Sequence, residues 1–328
     1  MDATLLFFLL LDALQNGVVY GLLAMALVLV FAVTRVILVP IGELMMFAPL
    51  SYVWLLEGQL PGTLYLTLAL LGVWAFLERR LPRLGVRILG LGVGLFLLSF
   101  LAKGFALLAY LASLALVLAL GVSTYRLFFE PMREGTVLSY LIMAVGLHVA
   151  FQGLGLVFFG PEQYRPDPLL KGEVVVGLSR QALLVYGFAL LVVVGLYSFF
   201  RTLYGKALLA CAQNRVGARL LGIRPEEGGR VAVGLASGVA GVAGLLLAPL
   251  TNAAYFMGFM LGLKGFVAAI LGGLVSYPMA FFGAFLVSLF ESFASFYASA
   301  YKEALVFLLL LPALFYQSLR VRTLEGEE

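Results

Sequence analysis

Five ionisable residues stand inside long apolar runs: Asp12, Glu43, His148, Lys264 and Glu291. Near the centre of a bilayer each costs about 2.5–3.5 kcal/mol on insertion scales, so each needs a partner or a wet cavity. Three kinds of chemistry are open to them: an internal ion pair, a hydrogen bond that fixes helix register, or the lining of a polar pathway. Glu43 and Lys264 are weighed for pathway lining, His148 for a satisfied packing role, and Glu291 for a cap or a pair near Lys302. Reaction chemistry has little to draw on. Cys211 and His148 are the single cysteine and histidine, which excludes an intramolecular disulfide and any multi-cysteine or multi-histidine metal site. No nucleophile, base and metal ligand cluster together. Gly205-Lys206 and Lys264-Gly265 lack both the spacing and the Ser/Thr of a phosphate-cradling loop. Close helix packing explains Gly90-Leu91-Gly92-Val93-Gly94 better. Neither a metal nor a cofactor is implied, and nothing suggests nucleic acid.

The elements that position these residues follow from composition. Of 328 residues, 63% are hydrophobic and 12% charged, against about 25% charged in soluble domains, and the mean hydropathy is +1.09. Such a chain needs lipid as solvent, where backbone groups must pair internally. Apolar runs of about 20 residues suit helices rather than barrel strands. The fold class is therefore all-α: one polytopic transmembrane bundle of about ten spans, one of them short or broken. Spans are expected near 5–33, 36–56, 60–77, 88–102, 105–122, 137–159, 181–200, 231–250, 279–297 and 304–316. A Gly-interrupted piece, 262–276, is too short to cross comfortably, and Tyr277-Pro278 breaks it from the next span. The first apolar run lacks a basic flank and reads as retained.

Lys and Arg in short loops set orientation. Arg35, then Arg79, Arg80, Arg83 and Arg87, then Arg126 and Arg133, then Arg201, Lys206, Arg215, Arg219, Arg224 and Arg230 fall in alternate loops. That side is cytoplasmic, which puts the N-terminus outside. Counting 262–276 as a crossing puts the tail, with Arg320 and Arg322, inside. Small residues Gly234, Ser237, Gly238, Gly241 and Gly244, like Gly17 and Gly21 on the first span, let backbones approach closely. The longest polar stretch, 201–230, holds a short helix over Gly205–Gly222. Ala207, Ala210, Ala212, Gly217 and Ala218 make a small face, and Gly222 is placed to stop the helix. It suits docking in a groove on a soluble protein or lying among lipid headgroups equally well.

At these residues the chain resembles the permeases of branched-chain amino acid ATP-binding-cassette transporters. The run Gly205-Lys206-Ala207-Leu208-Leu209-Ala210-Cys211-Ala212-Gln213-Asn214, with Ala218-Arg219-Leu220-Leu221-Gly222-Ile223, is similar to their coupling-helix region. Gly262-Leu263-Lys264-Gly265-Phe266-Val267-Ala268-Ala269-Ile270-Leu271-Gly272-Gly273, with Pro278 after it, resembles their second hallmark. Glu291, Tyr301-Lys302-Glu303, Asn16-Gly17, Gly42-Glu43 and the loop from Tyr125-Arg126 to Pro131-Met132-Arg133 continue the likeness. Departures are Leu38-Val39-Pro40-Ile41 where the family has Asn-Phe-Ala-His, Gln213 for a common Glu, and Lys206 for a usual Arg. Residues 57–103 have no counterpart and read as a two-span insertion.

The resemblance implies a multi-pass subunit of the inner (plasma) membrane. Its partners would be cytoplasmic ATPase subunits, a second permease subunit in a hetero- or homodimer, an extracytoplasmic solute-binding protein, and membrane lipid. The loop 201–230 would carry the coupling helix, with Lys206, Ala207, Ala210, Ala212, Gln213, Asn214, Gly217, Ala218, Leu221 and Gly222 facing the ATPase. Asn16, Glu43 and Lys264 would line the substrate pathway. The cargo would be branched-chain or other neutral amino acids; urea, short amides or another small polar solute fit the same architecture. An ion-coupled secondary transporter using Asp12, Glu43 and Glu291 is the rival of another class, though no internal repeat supports it.

Overall fold

The computed structural model describes residues 3–79, 81–132, 135–175, 178–274, 276–312 and 314–315. Arg80, Arg133 and the tail with Arg320 and Arg322 lie outside them, as does part of the expected 304–316 span. The order of elements is α1 (Ala3–Thr34), α2 (Ile41–Leu56), α3 (Gly62–Leu77), α4 (Pro82–Leu101), α5 (Ala106–Thr124) and α6 (Val137–Phe159). A two-stranded antiparallel ribbon, β1 (Glu173–Val175) and β2 (Leu178–Ser179), precedes α7 (Arg180–Arg201). Then follow α8 (Leu203–Gln213), α9 (Arg215–Leu220), α10 (Pro225–Thr251), α11 (Met257–Leu271), α12 (Tyr277–Tyr297) and α13 (Lys302–Leu308). Among the described residues, seven helices are long and apolar enough to cross a bilayer, and α2, α3 and α11 are shorter apolar helices.

The architecture grows outward from α1. Leu22, Leu23, Val28, Leu29 and Val30 point in different directions around this helix, yet all are buried. A helix apolar on every side belongs in the middle of a bundle, and α2, α10, α11 and α12 pack around it. Helices α3 and α4 build a satellite core of Leu64, Leu71, Trp74, Ile88 and Leu95 against Leu116 of α5. On the other side of α4, Val86, Leu89 and Val93 are exposed, as expected of a lipid-facing helix.

Polar contacts sort the loops into two ends. At one, Arg35 after α1 reaches the Ala212 carbonyl of α8 at 3.4 Å, Arg126 after α5 pairs with Glu78 after α3 at 2.5 Å, and Arg230 of α10 pairs with Glu130 at 2.7 Å. At the other, Tyr164 and Ala253 exchange backbone hydrogen bonds of 2.8 and 2.7 Å, Arg165 Nε donates to the Pro249 carbonyl, and Gly104 N donates to the Leu55 carbonyl. The basic loops thus share one end of the bundle.

Several expected boundaries shift for identifiable reasons. The span expected from 36 is not helical at its start: φ at Arg35 is +59°, and helix begins only at Ile41. Pro40 lacks the N–H that a helix interior needs and stands at the N-cap. The non-helical stretch is tolerated in the bundle because protein covers it; Val36 and Leu38 are 2% and 1% exposed. α4 starts at Pro82, placed to begin a helix, so Arg83 and Arg87 lie within it. α11 begins at Met257, before the expected 262, and breaks at Gly273 and Leu274, where φ is +75° and +57°.

Glycines set the closest approaches. Gly42 of α2 lies against Gly258 and Gly262 of α11, where a Cβ would run into backbone. Gly244 of α10 abuts the Met45 carbonyl, Gly17 and Gly21 meet Ser288 and Phe281 of α12, and Gly234 and Gly238 meet Val122 and Leu118 of α5. The packing role expected for these residues is therefore realised. It is not realised at Gly90 and Gly94, which have nothing within 4 Å; only Gly92 of that run approaches a neighbour, Leu68. Hence Gly42→Val should cost at least about 2 kcal/mol through overpacking, whereas Gly90→Ala should cost nothing. Thermal unfolding of the two variants in detergent, compared with the parent chain, measures the contrast.

Candidate functional site

Lys264 sits midway along α11 and is buried. Its Nζ donates to Glu291 Oε1 of α12 at 2.6 Å and to Glu303 Oε1 of α13 at 3.2 Å. The other oxygen of Glu291 accepts from the Tyr20 hydroxyl of α1 at 2.7 Å, and Lys264 Nζ also lies 5.6 Å from the centre of the Tyr20 ring. Four helices are thereby joined through one ammonium group. The pair is buried, with side-chain exposures of 6% and 10% for Lys264 and Glu291. In that setting the Coulomb attraction offsets desolvation only because both charges are also hydrogen-bonded. Glu291 does not pair with Lys302, as its nearness in sequence suggested; its partner comes from the preceding helix.

Glu43 is held differently. It lies in the first turn of α2, where the positive end of the helix dipole favours a carboxylate. Its Oε1 stands 2.7 Å from His148 Nδ1 of α6, and the imidazole stacks on Phe259 of α11 with ring centres 4.5 Å apart. Glu43 Oε2 is buried without a hydrogen-bond partner among the described residues. His148 thus has the packed, satisfied role expected of it, and it serves Glu43. Both Lys264 and Glu43 are structural fasteners in this state; of the carboxylates offered for ion coupling, Glu43 and Glu291 are engaged in these contacts and Asp12 is not.

Asn16 is placed otherwise. With Val19, Leu247 and Thr251 it borders two adjoining cavities, of 190 and 170 Å³, at the end of the bundle opposite the basic loops. Its Nδ2 donates to Asp12 Oδ1 one turn earlier at 3.1 Å. Of the three residues assigned to a pathway, Asn16 is therefore the one found beside open space.

At the basic end, the helix expected over Gly205–Gly222 is two helices. Asn214 is extended, with φ −149° and ψ 103°, and its Oδ1 accepts from Gly217 N at 2.9 Å, capping α9. An Asn side chain competes for backbone donors and so favours a new helix start over continuation. Thr202 caps α8 likewise by accepting from Gly205 N. The arm docks on the bundle through Leu208, Cys211 and Ala218, which pack with Leu29, Val33 and Ala232. Ala218, assigned to an outward face, is thus buried. Lys206, Gln213, Asn214, Leu221 and Gly222 are exposed, and Ala207, Ala210, Ala212 and Gly217 are half-buried. Sequence reasoning assigned Leu221, 79% exposed, to the outward face but missed its apolar neighbours Val216 and Leu220, 68% and 84% exposed. The signal was present, because these two residues fall outside the small-residue stripe.

Beside the arm, a 440 Å³ cavity opens between the ends of α1, α5 and α10, bordered by Tyr125, Glu130, Tyr140, Arg219 and Glu226. Glu130 there receives both Arg230 Nε and an Arg230 terminal nitrogen, at 2.8 and 2.7 Å. The Arg230 guanidinium also lies 5.6 Å from the Trp74 ring of α3. Among the described residues no group of three or more His, Cys, Asp or Glu could hold a metal ion.

The family model for the permease component of branched-chain amino acid transport systems matches residues 9–314. The chain is similar to BraD of Pseudomonas aeruginosa, a high-affinity branched-chain amino acid transport system permease protein. The two are 31% identical over 224 residues, covering 64% of this chain and 72% of BraD. It is also similar to LivH of Escherichia coli K12, a protein of the same description, at 29% identity over 213 residues, or 62% of this chain and 69% of LivH. LivH of Salmonella typhimurium is similar to the same extent, 29% over 213 residues. No solved structure matches the chain.

The ammonium-centred cluster makes a testable claim about stability. Lys264→Met leaves Glu291 buried, and Glu303 half-buried, without their cation and should cost about 3–5 kcal/mol. Lys264→Met/Glu291→Met removes both charges and should recover a good part of that loss. Fluorescence-detected unfolding of the purified variants compares them, and a double variant no more stable than the single one contradicts the assignment.

Proposed function

Since the chain belongs to the family of branched-chain amino acid transport permease components, we propose that it is the membrane-spanning half of an ATP-driven importer, passing branched-chain or other neutral amino acids handed over by an external binding protein. It is a multi-pass inner-membrane protein and a transporter component. Hydrolysis of ATP falls to separate cytoplasmic ATPase subunits, and a second permease subunit, identical or different, completes the passage.

One observation carries the coupling part of this reading: the α8–α9 arm shows water a run of large apolar side chains. Val216, Leu220 and Leu221, with Leu203 and Tyr204 at 83% and 80% exposure, stand at the end of the bundle that gathers Arg35, Arg126 and Arg230. Exposed apolar patches of this kind mark protein contacts. By the weighting of Lys and Arg this end is cytoplasmic, so the ATPase is the partner within reach and the N-terminus lies outside. Lys206, Ala207, Ala210, Ala212, Gln213, Asn214, Gly217, Leu221 and Gly222 stay in the proposed contact region, with Ala218 supporting from beneath. Residues 57–103 are proposed as a two-span addition, which agrees with the separate core of α3 and α4 at the periphery.

Leu220→Glu/Leu221→Glu changes only exposed side chains and should leave the unfolding temperature unchanged. The importer purified through a tag on the permease should then lose its ATPase subunits. Retention of the ATPase at the parent level contradicts the docking role.

A further inference from the structure

We propose that the groove between α1, α7, α10 and α11 is a transit site that holds a zwitterionic amino acid with an apolar side chain, using Asp12 for the ammonium group and Tyr186 for the carboxylate. The inference rests on the permease reading and goes further by assigning the groups that touch the cargo.

Asp12 is the starting point. It is exposed on α1, flanked by Leu9, Leu10, Leu11 and Leu14, in a helix apolar enough to span the membrane. A carboxylate turned to lipid there is costly without a partner. It accepts a hydrogen bond from Asn16, and among the described residues it has no cationic partner. The side chain instead borders the 170 Å³ cavity, whose wall also includes Gln15, Asn16, Tyr186 and Thr251. Tyr186, from α7, carries a buried hydroxyl without a hydrogen-bond partner among the described residues. One cavity therefore holds an anion lacking a cation and a donor lacking an acceptor. A buried hydroxyl left in this condition is costly, and a ligand or water normally completes it; an anion in an apolar span calls for a counter-charge. The complement of the pair is a molecule with an ammonium at one end and a carboxylate at the other.

The adjoining cavity supplies the remaining requirement. It shares Asn16, Val19, Leu247 and Thr251 with the first, and its own walls are Tyr20, Asn252, Phe256, Met257, Met260 and Leu261. The last four are apolar and the Tyr20 hydroxyl is taken up by Glu291, and methionine adapts to varied aliphatic shapes. A polar chamber opening beside an apolar one fits an α-amino acid whose side chain is a branched hydrocarbon. Urea and short amides satisfy neither the charge pattern nor the apolar chamber. Two weakly completed polar groups also suit a passage, since a cargo held tightly at every contact leaves slowly.

The experiment uses the complete importer in proteoliposomes with its leucine-loaded binding protein at saturation. Losing a hydrogen bond to a charged group should slow leucine transport by about tenfold or more in Asp12→Asn and in Tyr186→Phe. Binding-protein-stimulated ATP hydrolysis should persist in both, and Asp12→Glu should recover transport in part. Separately, Asn16→Cys in a Cys211→Ser background should react with a charged, membrane-impermeant thiol reagent, and Leu190→Cys on the exposed face of α7 should not. Parent-level transport in both Asp12→Asn and Tyr186→Phe, or an inert Asn16→Cys, overturns the site. A parent importer that moves no leucine at all overturns the permease reading instead, whatever the thiol labelling shows.

Discussion

A lone ammonium group deep in an apolar bundle has to be answered by the protein, because lipid cannot answer it. Lys264 is answered by Glu291 and Glu303, and Glu291 in turn by Tyr20. This one requirement fixes the register of α11 against α12 and of both against α1. Van der Waals packing among Ala, Gly and Leu surfaces would tolerate a slide of one turn; a buried cation does not, since a displaced partner leaves it unpaired. Glu43 and His148 apply the same constraint between α2 and α6. Glycine contacts supply the closeness, and the charges supply the alignment.

Burial of these pairs separates two roles that intramembrane charges can play. Lys264, Glu43 and Glu291 are occupied in holding helices together. Asp12 lies beside open space, with a neighbouring amide as its partner. The two adjoining cavities thus lie where the fasteners are not, along the face of α1 that turns toward α7 and α10. The basic end has its own fasteners, Arg126 with Glu78 and Arg230 with Glu130, and these tie the peripheral α3–α4 pair to the base of α10, next to the arm.

The bundle was legible in the sequence because scarce charge and long apolar runs leave a chain no other solvent than lipid. The list of intramembrane ionisable residues was legible too, but their pairing was not. Tyr20 and Glu291 are 271 residues apart, and Glu43 and His148 are 105 apart, whereas helical periodicity reports only on neighbours three or four positions away. For the same reason Glu291 was drawn toward Lys302, which is near in sequence, rather than Lys264. Breaks were half legible. Pro40 and Asn214 are residues that interrupt helices, yet apolar or small-residue patterns ran through both and suggested continuity. The groove escaped notice because its walls come from four separate helices, and Tyr186 looks like any other aromatic on a lipid-facing span.

The first helix has a mechanical consequence. At 32 residues it is a rod of about 48 Å at 1.5 Å per residue. Its C-terminal end is clasped by the arm through Leu29, Val33 and Arg35, while Asp12 and Asn16 stand on its N-terminal half. The stretch from Ala13 to Val33 holds no proline, and its glycines, Gly17 and Gly21, are wedged against α12, so it has no built-in hinge. A pivot of about 5° at one end of such a lever carries the other end through about 4 Å. A tilt at the end held by the arm is thus enlarged at the other end of the helix by length alone, with no relay of intervening side chains.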